Sequence, residues 1–363
     1  MAEQKITAQQ RAMLFGASTR QHYQTLGSQT INGGAQSVSF RFPKSRLVAG
    51  VKLHVKGTLS ASGAGEGFNW KHDLGIYDIL RRVSIDFNNG FNPIVVAGSE
   101  MALINMLYPN PEMVLPSYTG NKTLCKAPAS LEAGIDAEHG DYDFEFVLDI
   151  PLTLNYRDPV GLILAQNGET SIDLICDFDN LSNLVVGDEY SGGISYNGVY
   201  KNVKITPMIT SYSIPADTRA FPDLSVLKVV DSRNEAVTSG QNYIKLPVGM
   251  IYRKLILKFV DENGQPMKEE DITSNIELIL NTADTPYSIT PAMLRFENTR
   301  QAGMKMPEGV YFFSFDYQGM LGYGGSRDYI DTERVSEFAV RFTSGKVGKV
   351  YIIAEKLSRL IAG

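Results

Sequence analysis

Cysteine is nearly absent from this chain, with 2 in 363 residues, and tryptophan occurs once. Two thiols cannot staple a protein of this length, so its stability has to come from a buried core. A disulfide between Cys125 and Cys176 is not expected in a reducing compartment. An excess of charge of one sign is lacking too. Lys plus Arg number 34 against 40 Asp plus Glu, a formal net charge of −6. That balance argues against specific or general nucleic-acid binding, which needs a basic surface to release counterions. No apolar run approaches the roughly 20 residues that span a bilayer. The N-terminus, Met1-Ala-Glu-Gln-Lys-Ile-Thr7, has no apolar h-region of a signal peptide, and folding in a cytoplasm is expected.

Convergent reactive groups are missing as well. The four histidines, His22, His54, His72 and His139, are scattered and no pair has metal-site spacing. There is no Gly-x-Ser-x-Gly elbow, and neither cysteine lies in a nucleophile context. The glycine-rich stretches 63–67 and 319–325 do not sit between a strand and a helix, so they read as turns rather than phosphate loops. The acidic run from Asp261 to Glu270 lacks the Asp-x-Asp spacing of a calcium loop. Asp143, Glu145 and Asp149 alternate along one predicted strand, as a solvated face does, and His54 alternates with Leu53 and Val55. The sequence therefore offers no catalytic, cofactor-binding or metal-ligating residues, and a non-enzyme without cofactors is expected.

What is present is β structure, twice. Hydrophobic residues make up 43% and charged residues 20%, with 33 Gly, 16 Pro, 18 Tyr and 17 Phe, a composition suited to an all-β protein with many turns. Predicted strands cover 36–42, 47–59, 79–87, 142–154, 169–178 and 201–214, then 224–231, 241–247, 251–260, 275–282, 309–318, 334–343 and 347–356. In each half an alternating strand runs into a proline (Pro43, Pro247), turns, and meets a second alternating strand. The parallel continues. Arg82–Phe87 leads through Asn88-Asn89-Gly90 and Pro93 to a short helix over 99–106, and Asn275–Leu280 leads through Asp284 and Pro286 to another over 290–297. The counts approach the eight strands of a jelly roll.

The first 33 residues differ. Thr7 caps a predicted helix over 8–15 with Gly16 as its stop, followed by a polar, extended run. Lys5, Arg11 and Arg20 against Glu3 make this segment locally basic, and Met13, Leu14 and Phe15 give it an apolar side. It reads either as a packed or solvated terminal helix, or as an arm touching a partner subunit or an anionic membrane. Two irregular segments, 107–141 and 179–200, interrupt the first half. Pro215 and Pro222 mark the boundary before the second.

This order of elements resembles the major capsid proteins of the double jelly-roll virus lineage, in particular those of tailless, membrane-containing, tectivirus-like phages. The resemblance rests on the tandem plan, the length, the short helices at 99–107 and 290–300, and the arm Gln9-Gln-Arg-Ala-Met-Leu-Phe-Gly16. It implies an all-β fold of two eight-stranded jelly rolls: an N-terminal helix and arm over 1–33, a first roll over 34–215 and a second over 216–363. It further implies a coat protein made in the host cytoplasm and located in the virion capsid. Homotrimers of pseudo-hexagonal outline would tile an icosahedral shell, with minor capsid and vertex proteins as partners. Lys5, Arg11, Met13, Leu14, Phe15 and Arg20 would face an internal membrane or a partner. The segments 107–141 and 179–200 would form clamps between subunits or outward towers. The alternative from another class is a tandem jelly-roll carbohydrate-binding or glycan-processing protein, with Trp70 in a loop as its stacking residue.

Overall fold

A computed structural model describes residues 7–62, 68–70, 74–88, 90–107, 139–154, 160–164, 171–187, 197–222, 224–282, 284–315 and 329–359. In chain order the first half holds α1 (Ala8–Ser18), β1 (Gln21–Thr25), β2 (Gln29–Gly33), β3 (Ser37–Arg41), β4 (Leu47–Ser62), β5 (Phe68–Trp70), β6 (Leu80–Phe87), β7 (Phe91–Val96), α2 (Gly98–Met106), β8 (His139–Pro151), β9 (Ile163–Leu164), β10 (Ile172–Phe178), β11 (Val185–Gly187) and β12 (Asn197–Tyr212). The second half holds β13 (Val226–Val237), β14 (Gly240–Leu246), β15 (Ile251–Asp261), β16 (Ile276–Leu280), β17 (Asp284–Ile289), α3 (Pro291–Ala302), β18 (Val310–Ser314), β19 (Ile330–Asp331), β20 (Phe338–Ser344) and β21 (Gly348–Arg359).

The two halves are the same fold. One sheet of the first roll runs β1-β12-β4-β8, and its counterpart in the second runs β13-β21-β15-β18. The facing sheets run β3-β10-β6-β7 and β14-β20-β16-β17. Even the irregularities repeat. A bulge in the β12–β4 ladder falls between Thr210 and Ser211, and one in the β15–β21 ladder falls between Tyr252 and Lys254, opposite the matching positions. The two-residue strands β9 and β19 pair with the starts of β4 and β15. Ile251 thus corresponds to Leu47, Glu355 to Thr210, and Val230 to Tyr23.

Alternation builds each core. On β3 only Val38 and Phe40 face inward, and on β14 Asn242, Ile244 and Leu246 do. Two core clusters result, one filling each roll. They are layers of sandwiched sheets whose inward side chains interdigitate.

Four expectations change. The stretches read as links to the helices, around Pro93 and Pro286, are strands: β7 and β17. Each proline lies in a β-bulge, between the pairs Phe87↔Phe91 and Ile85↔Ile94 in one roll and Leu280↔Asp284 and Leu278↔Tyr287 in the other. A bulge tolerates a residue without an N–H, so proline did not break the strand. α1 does not stop at Gly16 but continues to Ser18, where the Thr19 N–H and hydroxyl both bond the Phe15 carbonyl. The polar run after it is not a detached arm, because Gln21–Thr25 pair antiparallel with β12 as the outermost strand of the sheet. Trp70 ends a short strand paired with β11 rather than sitting in a loop.

One side-chain motif marks the repeat. Asn105 on α2 donates to the Asp149 carbonyl at 2.7 Å and accepts from the Asp149 N–H at 2.9 Å. Asn298 on α3 does the same to Phe312, at 2.7 and 2.9 Å. Asp149 and Phe312 occupy the same position of β8 and β18. Replacing Asn298 by alanine leaves an N–H and a C=O of β18 unpaired in the interior, each costing about 1–3 kcal/mol. A loss of about 2–5 kcal/mol in urea unfolding is expected; a loss under about 1 kcal/mol would contradict the role.

Candidate assembly surface

The two rolls meet along one continuous sheet. β13 of the second roll pairs in parallel with β7 of the first, Val230 opposite Ile94 and Asp231 opposite Val95. A nine-stranded sheet therefore crosses the chain. The outer face of the second roll's β13-β21-β15-β18 layer is accordingly buried. Val230, Ile256, Phe312 and Ile353 belong to the first roll's core cluster, while their neighbours Leu255, Tyr311 and Ile352 face the second core. This is why β15 is buried on both faces, with no exposed residue along its length.

Charges are buried in the same junction. Glu355 accepts ion pairs from Lys228 at 3.1 Å and Lys254 at 3.2 Å, all three nearly inaccessible. Lys228 also donates to the Thr153 carbonyl of the first roll at 3.4 Å. Beside them Lys356 pairs with Asp231 at 2.6 Å. Burial raises the Glu355 carboxyl, but the ammonium groups of Lys228 and Lys254 with the Arg253 guanidinium outweigh it and hold the carboxyl well below the usual carboxylate range. Burial pushes Lys228 below the usual lysine range despite Glu355.

α2 completes the junction and is buried from end to end. Glu100 accepts from the Ser232 hydroxyl of β13 at 2.5 Å and from the Ala97 N–H at 2.8 Å. Burial raises the Glu100 carboxyl above its ordinary 4.5, and the bonds from Ser232 and Ala97 only partly offset this. A raised folded pKa gives stability that is full below the unfolded value and lost as pH rises through the folded one. Relative to a Glu100→Gln variant, the parent should therefore lose melting temperature as pH rises above the ordinary carboxylate range. Parallel melting curves above that range would contradict this.

The same positions in the second roll are open. Met293 and Phe296 of α3 correspond to Glu100 and Leu103 of α2, as the aligned Asn298 and Asn105 fix. Leu103 is 1% exposed, whereas Met293 is 55% and Phe296 61% exposed. β17, the counterpart of β7, ends its sheet and pairs only with β16 among the described residues. β1, the counterpart of β13, likewise ends its sheet among the described residues, and Tyr23 on it is 59% exposed.

The arm residues fall into two groups. Phe15 is buried, its ring edge-on to Tyr212 at 5.3 Å, in a small cluster with Leu47, Ala49 and Leu162. It belongs to the chain's own packing and is not available to face anything else. Met13 is 68% exposed and Leu14 37% exposed, Arg20 is exposed, and Arg11 is half-buried. Lys5 lies outside the described residues, as do most of 107–141 and 188–196 and the glycine-rich stretches.

The outer face of the first roll is polar. His54 meets Glu145 at 2.8 Å and Thr58 donates to Asp143 at 2.7 Å, across the β4–β8 ladder. The Asp261 carboxylate caps its own turn by accepting from the Asn263 and Gln265 N–H groups. Among the described residues no three His, Cys, Asp or Glu side chains converge, and no helix is long and apolar enough to cross a membrane.

No protein-family model matches the chain, and no curated protein matches it. Solved structures do. The major capsid protein of Sulfolobus Turreted Icosahedral Virus superposes with a TM-score of 0.66 at 13% identity, covering 94% of this chain and 97% of that one. The fold is the double jelly roll. The major capsid protein from Bacteriophage PM2 shares the double jelly roll at a TM-score of 0.53 and 12% identity, covering 95% of this chain and 99% of that one. The Faustovirus major capsid protein does so at 0.59 and 10%, covering 100% and 92%. The double jelly roll seen here is thus not confined to proteins of bacteriophages.

Proposed function

We propose that this protein is a viral major capsid protein that forms pseudo-hexagonal homotrimers, the building blocks of an icosahedral shell. The observation that carries this reading is the repeat itself. Two rolls of one topology are joined edge to edge, and each end of the pair keeps the surface that the internal junction buries. Three such chains present six similar edges, so one protein can tile a flat hexagonal layer with closed threefold symmetry. The likeness to three viral major capsid proteins over nearly the whole chain supports the same role. Minor capsid and vertex proteins would occupy the places where the tiling closes. Electron microscopy of concentrated protein tests the coat role: hexagonally packed sheets or closed shells are expected, and dispersed particles at every concentration would contradict it.

The N-terminal segment is proposed to face an internal membrane through Arg11, Met13, Leu14 and Arg20, whose side chains lie wholly or partly at the surface, together with Lys5. Each basic residue near an anionic bilayer contributes about 1 kcal/mol. A variant carrying Arg11→Glu, Met13→Ser, Leu14→Ser and Arg20→Glu keeps Phe15 in place. It should retain its native mass and lose co-sedimentation with phosphatidylglycerol vesicles at low salt. Undiminished co-sedimentation would remove the membrane from the account.

A further inference from the structure

We infer that the free β1 edge of one copy joins the free β17 edge of a second copy in a parallel pairing. The expected register places Tyr23 opposite Tyr287 and Gln24 opposite Ser288, with α3 of the second copy seated on the outer face of the first copy's β1-β12-β4-β8 sheet. This deepens the trimer reading and rests on it. The register follows from the two rolls alone. β1 meets β12 as β13 meets β21, which makes Tyr23 and Gln24 the counterparts of Val230 and Asp231. β17 meets β16 as β7 meets β6, which makes Tyr287 and Ser288 the counterparts of Ile94 and Val95. Within the chain those counterparts are the paired residues.

The exposed side chains fit the same operation. Tyr23, Met293 and Phe296, each more than half exposed, are the counterparts of Val230, Glu100 and Leu103, which the internal junction buries. Glu100 bonds Ser232, whose counterpart is Thr25; Met293 cannot make that bond, so the contact between copies trades a buried hydrogen bond for apolar burial. The receiving face carries its charge at other positions. Where the second roll carries Lys228, Lys254 and Glu355, the first carries Gln21, Gly50 and Thr210. The contact between copies would instead cover Lys52 and Asp149, cross-strand neighbours at the positions of Ile256 and Phe312, and these charges keep the surface soluble in a free subunit. Every copy offers one edge and accepts one, so the contact is head to tail and closes when three copies meet.

The experiment is a double-cysteine variant, Gln24→Cys with Ser288→Cys, mildly oxidised and run on a non-reducing gel, beside both single variants. Its native mass is measured by light scattering before oxidation. The expected result is a mass near three times 40.0 kDa and a ladder of covalent dimer and trimer from the double variant alone. A trimeric mass without the ladder overturns this register and leaves the trimer standing. A mass of one chain overturns both. Should the variant not fold, hydrogen exchange of the unaltered protein reads the same contact. Amides of 21–25 and 284–289 protected like those of 91–96 and 226–231 support it, and exchange at the rate of free edge strands overturns it.

Discussion

Replacing Glu355 by leucine is expected to cost about 3–5 kcal/mol, because the change strands the buried ammonium groups of Lys228 and Lys254 without their counter-charge. For a roll of this size that corresponds to a fall in melting temperature of roughly 6–20 °C. The converse is also expected. Combining Glu355→Leu with Lys228→Met and Lys254→Met removes both signs together and should recover most of the loss, since apolar groups of similar volume replace a buried ion cluster at little net cost. The pH dependence has a definite sign. The Glu355 carboxyl is held below the usual range, so its contribution is present above the ordinary carboxylate pKa near about 4.3 and is lost as pH falls through the folded value. The gap between parent and Glu355→Leu should therefore narrow as pH falls below about 5. Thermal melts of the three proteins across pH decide it. A single variant that melts with the parent would show that the cluster does not hold the rolls together.

The second large effect concerns assembly without stability. Phe296→Asp is expected to leave the melting temperature of the isolated subunit almost unchanged, because Phe296 is 61% exposed and surface changes away from special features fall within about 0.5 kcal/mol. The native mass should instead drop from three chains to one. Burying one large aromatic at an interface is worth about 1.5–3 kcal/mol, and a threefold ring loses it at every contact, with a charge then forced against the neighbour. Light scattering over a concentration series, with a melt of each sample, separates the two readouts. A variant that stays trimeric would place α3 outside the interface.

These two sites were not equally legible in the sequence. The longer strands from β3 onward, apart from β7 and β17, and with them both rolls, could be read from apolar patterning, which alternates wherever one face of a sheet is solvated. The repeat was visible at Val38–Phe42 and Tyr243–Leu246 because those edge strands alternate cleanly. β7 and β17 were hidden by their prolines, which bulges absorb. β1 was hidden because an exposed edge strand such as Gln21-His22-Tyr23-Gln24-Thr25 carries no alternation to detect. The junction was invisible for a related reason. Lys228, Lys254 and Glu355 look like solvated strand charges, and nothing in a linear pattern says that the outer face of one roll is the inner face of a pair. Phe15 was read with the arm, yet its neighbours Leu47 and Tyr212 come from strands distant in the chain. Met293 and Phe296 become informative only once Asn298 and Asn105 align the two helices.

The measurement that bears most directly on the account is the native mass of the purified protein by light scattering, with negative-stain class averages from the same peak. The account predicts a particle near three times 40.0 kDa with a hexagonal outline, six lobes from three chains. A monomer that persists on concentration, or a ring of any other number, would contradict it.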